Sequence, residues 1–292
     1  MLFMGMELVP VGVVHSSVRS GHEMPVQGVT GEVEIYPEYV NALRSIGQNS
    51  HLILLCWMHE ADRTVLTAVA RKVASDLPEK GVFSLRSPPR PNPISLSVVR
   101  LLGVREERFL EVESLDLIDG TPVLDIKPYQ TGWDCIFSAT GHDRSEKIQK
   151  MGTEAYREGL VREAVNYHGM LCPGVAVGVR IAEAATRMLG GDLRNPALSV
   201  VPGNDPCIAD ALIGITGARP GDHRLLFMQG DKAPKNGCLI RKGDREVAFL
   251  LRADIPRTPE EILSCDEAVL FAADLHDTEE RKLPAHPCVR YP

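Results

Sequence analysis

The sequence predicts two domains: an all-β half of the small-barrel or sandwich type, then an α+β half. Three observations predict this. Apolar, β-branched runs punctuated by Gly and Pro recur at intervals of roughly ten residues through the first half, the spacing of short strands. A helical rhythm replaces them near residue 145. The rest then mixes helices and strands, with no internal repeat. A length of 292 residues suits two domains.

Each element follows in order. "ELVPVGVVHS" and "GVTGEVEIYPEY" read as the first strands. "PEYVNALRSI" (Pro37–Ile46) reads as a short helix with Pro in its first turn. "SHLILLCWMHE" (Ser50–Glu60) is a long β-branched and aromatic strand, and "ISLSVVRLLGV", "RFLEVESLDLI" and "TPVLDIKPY" complete the β half. From Ser145 to Tyr167, apolar residues fall at Ile148, Met151, Ala155, Leu160 and Ala164, a helical spacing. "PGVAVGVRIAEAATRML" predicts a helix rich in small residues, "ALSVV" a strand and "CIADALIGITGA" a short helix. "HRLLFMQG", "CLIRKG" and "REVAFLLRA" predict strands. "TPEEILSCDEAVLFAADL" predicts a final helix with Thr258 as N-cap. The expected domains are therefore residues 1–140 and 145–275, with a loosely attached tail over 276–292.

Charge and cysteine content exclude some classes. The net charge is −7. Up to Arg144 there are 13 Lys and Arg against 18 Asp and Glu, and after it 19 against 21, so neither half is a basic nucleic-acid binder by bulk charge. Any RNA contact has to use a local patch, and Arg86, Arg90 and Arg100 are the local concentration. The seven cysteines are scattered without a C-x-x-C pair, which fits a reduced cytoplasm rather than a disulfide framework. No apolar run has the length of a membrane span, and the start "MLFMGMELVPVG" lacks the pattern of a signal peptide.

The most informative stretch is "FSLRSPPRPNPISLSVVRLL" (Phe83–Leu102). As composition, it reads equally as a rigid connection, because proline fixes φ and removes amide donors, and as a stiff presentation of Arg86, Arg90 and Asn92 to an anionic or planar ligand. An arginine fork suits a carboxylate.

In context this stretch resembles the TsaA-like, tRNA methyltransferase O family. "VGVVHSSV", "MPVQG", "GEVEIYPEYVNALRSI", "SHLILLCWMHE", "GVFSLRSPPRPNPISLSVV" and "LDLIDGTPVLDIKPY" match in the same order, covering about residues 8–137. The resemblance implies a small β-barrel that binds S-adenosylmethionine, forms a homodimer and is not a Rossmann methyltransferase. It also implies N6-methylation of threonylcarbamoyl-adenosine beside the tRNA anticodon. By matching motif positions it implies cofactor contacts at Pro25, Val26, Gln27, His59, Glu60, Arg86, Leu96, Asp116, Leu117, Ile118 and Asp119. Without the family, His59 reads as a rim histidine, and Asp116 and Asp119 as turn residues before Gly120. Methyl transfer from a sulfonium needs alignment more than acid–base chemistry, so no catalytic base is assigned. Arg90, Asn92 and Asp134 are the polar candidates on the substrate side.

The second half resembles the FmdE-like family, associated with formylmethanofuran dehydrogenase, through "YHGMLCPGVAVGVRIAEAA" and "NDPCIADALIGITG", over roughly residues 155–252. The resemblance brings His168, Cys172 and Cys207 together as ligands of the kind zinc uses. Met170 stands where the family has a second His. Taken alone, an H-x3-C with a distant Cys equally describes buried structural thiols.

The expectation is a cytoplasmic S-adenosylmethionine-dependent methyltransferase acting on tRNA, with an appended metal-binding domain. Methylation of a small metabolite, and a non-enzymatic S-adenosylmethionine or metal-handling role, are the alternatives.

Overall fold

The structure, a computed structural model, describes residues 7–25, 27–69, 77–139, 144–227, 234 and 236–277. The chain divides into two compact units, Met1–Ile136 and Phe137–Pro292.

The first unit is built on β1 (Gly12–His15), β2 (Val29–Ile35), β3 (His51–Trp57), a two-residue pair β4 (Thr67–Ala68) and β5 (Lys80–Gly81), β6 (Ile94–Arg105), β7 (Phe109–Leu115) and β8 (Pro122–Pro128). A single turn of helix, α1 (Thr131–Asp134), follows. Six strands close into a barrel in the order β1-β2-β7-β6-β3-β8, every neighbour antiparallel. Closure leaves no open sheet edge. The period-2 pattern explains the filling: Leu52, Leu54 and Cys56 of β3 point inward with Val99 of β6, and with Leu110 and Val112 of β7. The expected helix at Pro37–Ile46 is instead a 3-10 segment, Pro37–Leu43, broken where Ser45 takes φ 68°.

One irregularity matters for function. Between Val29 and Gly31 of β2 the register advances by two residues while β7 advances by three, from Leu115 to Val112. The extra residue is a β-bulge at Ser114, which has φ 64°. Gly28 packs against this bulge with φ 75°, and a Cβ there would lie 2.7 Å from the Leu115 carbonyl oxygen. Only glycine allows this approach.

The second unit contains α2 (Arg144–Lys150), α3 (Thr153–His168), α4 (Pro173–Leu189), β9 (Leu198–Pro202), α5 (Pro206–Thr216), β10 (Gly237–Lys242), β11 (Arg245–Leu251), α6 (Pro259–Ser264), α7 (Glu267–Leu270) and β12 (Phe271–Asp277). The sheet is antiparallel in the order β12-β11-β10-β9, with α3, α4, α5 and α6 packed together. The small residues of α4 now have a reason. Every residue from Val175 to Ala185 is buried, so α4 is the central helix of this unit. It carries Arg180 and Glu183 into that interior.

The structure differs from the sequence expectations at four places. The helical stretch from Ser145 to Tyr167 is two helices, separated at Gly152, which is extended and serves as N-cap of α3. The predicted final helix ends early. Asp266 Oδ1 accepts from the Ala268 amide at 2.8 Å to start the short α7, and the chain then becomes β12, paired with β11 over seven residues. The ladder and the edge-to-face contact of Phe249 with Phe271 override the helical propensity of "VLFAADL". β12 also runs to Asp277, two residues into the expected tail. In "HRLLFMQG" the described residues make one parallel bridge, Leu225 to Val200, and Met228–Gly230 lie outside the described residues.

Candidate functional site

The strand order puts three loops on one rim of the barrel. β1 leaves at His15, β2 enters at Val29 opposite Leu115, and β7 leaves at Leu115. β3 leaves at Trp57 opposite Ile94, where β6 enters, and β8 enters at Pro122 opposite Val13. Loops 16–28, 58–93 and 116–121 therefore share a rim.

This rim gathers Pro25, Gln27, His59, Glu60, Arg86 and the Asp116–Asp119 segment, with Leu96 near the start of β6. Val26 lies outside the described residues. Direct contacts knit the set. Asp116 Oδ1 accepts from Ser97 Oγ at 2.5 Å. Asp119 Oδ1 accepts from the Ser16 amide at 3.1 Å, and its own amide donates to the Val18 carbonyl at 2.8 Å. Arg86 Nη2 donates to the Leu96 carbonyl at 3.2 Å. The Gly28 amide donates to the Pro25 carbonyl at 3.0 Å, and Gly28 rests on the Ser114 bulge two residues before Asp116. Leu117 is buried, while His59, Glu60, Arg86, Leu96 and Asp116 are exposed. The result is an open ledge with carboxylates on one loop and an arginine on the next. Cys56 lies beneath it. Burial pushes its thiol up to about 12, so it is packing rather than a nucleophile.

The Pro-rich loop proves to be splinted from within. Arg90 Nη2 donates to the carbonyl of Val82 at 2.8 Å and to that of Leu85, and its Nε donates to that of Ser87 at 3.1 Å. Arg63 Nε donates to the Pro91 carbonyl at 3.0 Å while its guanidinium lies 5.4 Å from the Trp57 ring centre. Prolines lack amides to satisfy such carbonyls, and arginines do so instead. Asn92 accepts at its backbone carbonyl from the Ile94 amide at 2.8 Å. Asp134 does not join the rim: α1 follows β8 from the opposite end of the barrel, and Asp134 Oδ2 accepts there from the Gln130 amide at 2.7 Å. Sequence reasoning missed Ser97, Ser16 and Arg63. Their roles arise from register and loop closure, which leave no motif in the chain.

The second unit brings its three predicted ligands together. His168 ends α3, Cys172 is the N-cap of α4, and Cys207 lies in the first turn of α5. Their ligand atoms all lie within 4.8 Å of one another. Cys172 Sγ is 3.6 Å from His168 Nε2. Asp205 caps α5 by accepting from the amides of Cys207 at 2.9 Å and Ile208 at 3.1 Å. Gly174 allows the two helix starts to meet, since a Cβ there would lie 2.6 Å from Cys207 Cβ. Burial, then the neighbouring Cys172 and the carboxylates of Asp205 and Asp210, push the Cys207 thiol up to about 11. A bound cation inverts that balance and favours thiolate. Two thiols and an imidazole are a donor set that suits a soft or borderline divalent ion. Among the described residues no other group of this kind converges, and the cysteines there are free.

A closed six-stranded barrel with a polar three-loop rim is a fold quite unlike the doubly wound sheets that bind nucleotides through a glycine fingerprint. Residues 13–135 match the family described as the tRNA-methyltransferase O N-terminal domain, and residues 167–272 match that described as FmdE, Molybdenum formylmethanofuran dehydrogenase operon. An S-adenosyl-L-methionine-binding protein of Archaeoglobus fulgidus is 41% identical over 140 residues, which are 47% of this chain and 98% of that one. Another protein of the same organism, named "Probable S-adenosyl-L-methionine-binding protein", is 36% identical over 232 residues; the match takes in 76% of this chain and spans 61% of the relative's length. A crystal structure of TrmO aligns at 35% identity with a TM-score of 0.40, over 49% of this chain and 63% of that chain. Through its first half the chain belongs to the TrmO family, and it carries an FmdE-like domain after it. Among the described residues no helix is long and apolar enough to cross a membrane.

Proposed function

We propose that this chain is a cytoplasmic S-adenosylmethionine-dependent methyltransferase whose acceptor is a modified adenosine of tRNA, N6 of threonylcarbamoyl-adenosine by family. The observation that carries the reading is the convergence of family-matched residues from three distant loops on one rim. The cofactor supplies a methyl group on a sulfonium, already electrophilic. The protein's task is then to hold and align. Arg86 would hold the methionine carboxylate, Asp116 and Asp119 would accept from the ribose hydroxyls or the ammonium, and Leu96 would give apolar contact to the adenine. Pro25, Gln27, His59, Glu60, Leu117 and Ile118 would complete the cofactor ledge, and Val26 is a further contact that the family resemblance implies. Arg90 and Asn92 stand on the acceptor side, Arg90 while splinting the loop.

The same ledge is open on one side. Ile94, Leu102 and Val104, all on β6, are exposed apolar residues on the outer wall of the barrel. A second copy of the chain covers that ridge in our reading, and Asp134, remote from the rim within one chain, then comes from the partner copy. Light scattering is expected to give twice the 32.0 kDa chain mass.

The net charge of −7 favours a second reading, in which the acceptor is a small metabolite. Incubation with methyl-labelled S-adenosylmethionine and either total tRNA or a small-metabolite extract separates the two. Label in the tRNA fraction supports the first reading, label in the extract the second, and label in neither contradicts a methyltransferase.

In the second unit, His168, Cys172 and Cys207 would hold one ion, zinc by donor chemistry. Zinc at no more than one equivalent per chain is expected by elemental analysis. The double variant Cys172→Ser, Cys207→Ser is expected to bring it to background. Zinc that persists in that variant contradicts the site.

A further inference from the structure

Asp210 is not one of the three converging ligands, yet it touches one of them. His168 closes α3, where Gly169 turns the chain with φ 100°. The two ring nitrogens of His168 face different neighbours: Nδ1 lies 2.9 Å from Asp210 Oδ2, and Nε2 lies 3.6 Å from Cys172 Sγ. An ionised carboxylate only accepts, so the Asp210 contact requires the proton on Nδ1. The Nε2 position is then the one turned toward the thiols. The sequence of α5 makes this possible. Cys207 and Asp210 are three residues apart and share a helix face, so one turn of α5 supplies a thiol and the group that orients the imidazole.

We propose that Asp210 is the positioning residue of the C-terminal site, fixing the His168 ring so that Nε2, and not Nδ1, is offered to a divalent metal ion beside Cys172 and Cys207. This rests on the metal reading above. A bare ion pair would do something else. The Asp210 side chain is 40% exposed, and exposed pairs add little to fold stability. The consequence of losing Asp210 should therefore appear in metal affinity and not in folding. Carboxylates that orient a ligating histidine typically govern affinity by about 10–100-fold.

The test uses the full chain, Zn²⁺ as the probe, and competition with a chromophoric chelator. It compares the native chain with Asp210→Ala and Asp210→Asn, and adds thermal melting of each in excess EDTA. Asp210→Ala is expected to lose about 10–100-fold in Zn²⁺ affinity. Asp210→Asn should retain part of it, since its amide oxygen still accepts from Nδ1–H. The metal-free melting midpoints are expected to coincide. Native-like affinity in Asp210→Ala overturns the proposal while leaving the metal site standing. So does a metal-free midpoint that falls along with affinity in both variants. A native chain that binds no Zn²⁺ overturns the metal reading itself, and this role with it.

Discussion

Glu183→Ala is expected to destabilise the C-terminal unit by about 3–5 kcal/mol, the scale for removing one partner of a buried charge cluster. Glu183 is 6% exposed and Arg180, one turn earlier on α4, is 5% exposed. Arg157 of α3 grips Glu183 with both Nε at 3.0 Å and Nη2 at 2.8 Å. Arg180 Nε lies 3.3 Å from the same carboxylate, while its Nη1 donates to the carbonyls of Ile262, Leu263 and Cys265 at the end of α6. Glu183 thus neutralises the arginine that caps α6 and ties α3 to the central helix. Truncation removes the carboxylate that both cations share, and one of them, Arg180, is buried. Glu183→Gln keeps the hydrogen-bond acceptor and should cost less. Both tryptophans of the chain, Trp57 and Trp133, lie in the first unit, so far-UV circular dichroism follows the helices while tryptophan fluorescence reports the barrel. Urea unfolding of the variant should lower the dichroism midpoint. An unchanged midpoint would mean that the cluster is neutral.

Arg86→Ala is expected to weaken S-adenosylmethionine binding by roughly 1.5–3 kcal/mol, which is about 10–150-fold. Arg86 stands on a loop held rigid by the Arg90 and Arg63 contacts to its carbonyls. A pre-ordered cation gives up little freedom when it meets a carboxylate. Arg86→Lys retains the charge without the fork and should fall between the two. The measurement is equilibrium dialysis with labelled cofactor. Equal retention by the native chain and Arg86→Ala would remove this residue from the site.

The sequence made some of this plain and hid the rest for physical reasons. Strand alternation in "HLILLCW" and small residues in "PGVAVGVRIAEAA" report burial directly, so the barrel strand β3 and the central helix α4 were legible. "VLFAADL" was not, because its strand exists only through pairing with β11, a contact remote in sequence. At the site, Arg86, Asp116 and Cys207 were visible through motifs. Ser97 beneath Asp116 was set by register alone, and the splinting role of Arg90 depends on which way its guanidinium turns. The Ser114 bulge has no glycine to announce it, so only the glycine opposite, Gly28, left a trace.

In the proposed function, three loops on one rim of the barrel hold S-adenosylmethionine. Hydrogen exchange of the full chain, with and without the cofactor, distinguishes this rim from the rest of the molecule. Slowed exchange is expected in peptides covering residues 16–28, 85–93 and 116–121, with the opposite-rim loops 36–50 and 106–108 and the His168–Cys207 region unchanged. Protection at the opposite rim or in the second unit, or no protection anywhere at saturating cofactor, would contradict it.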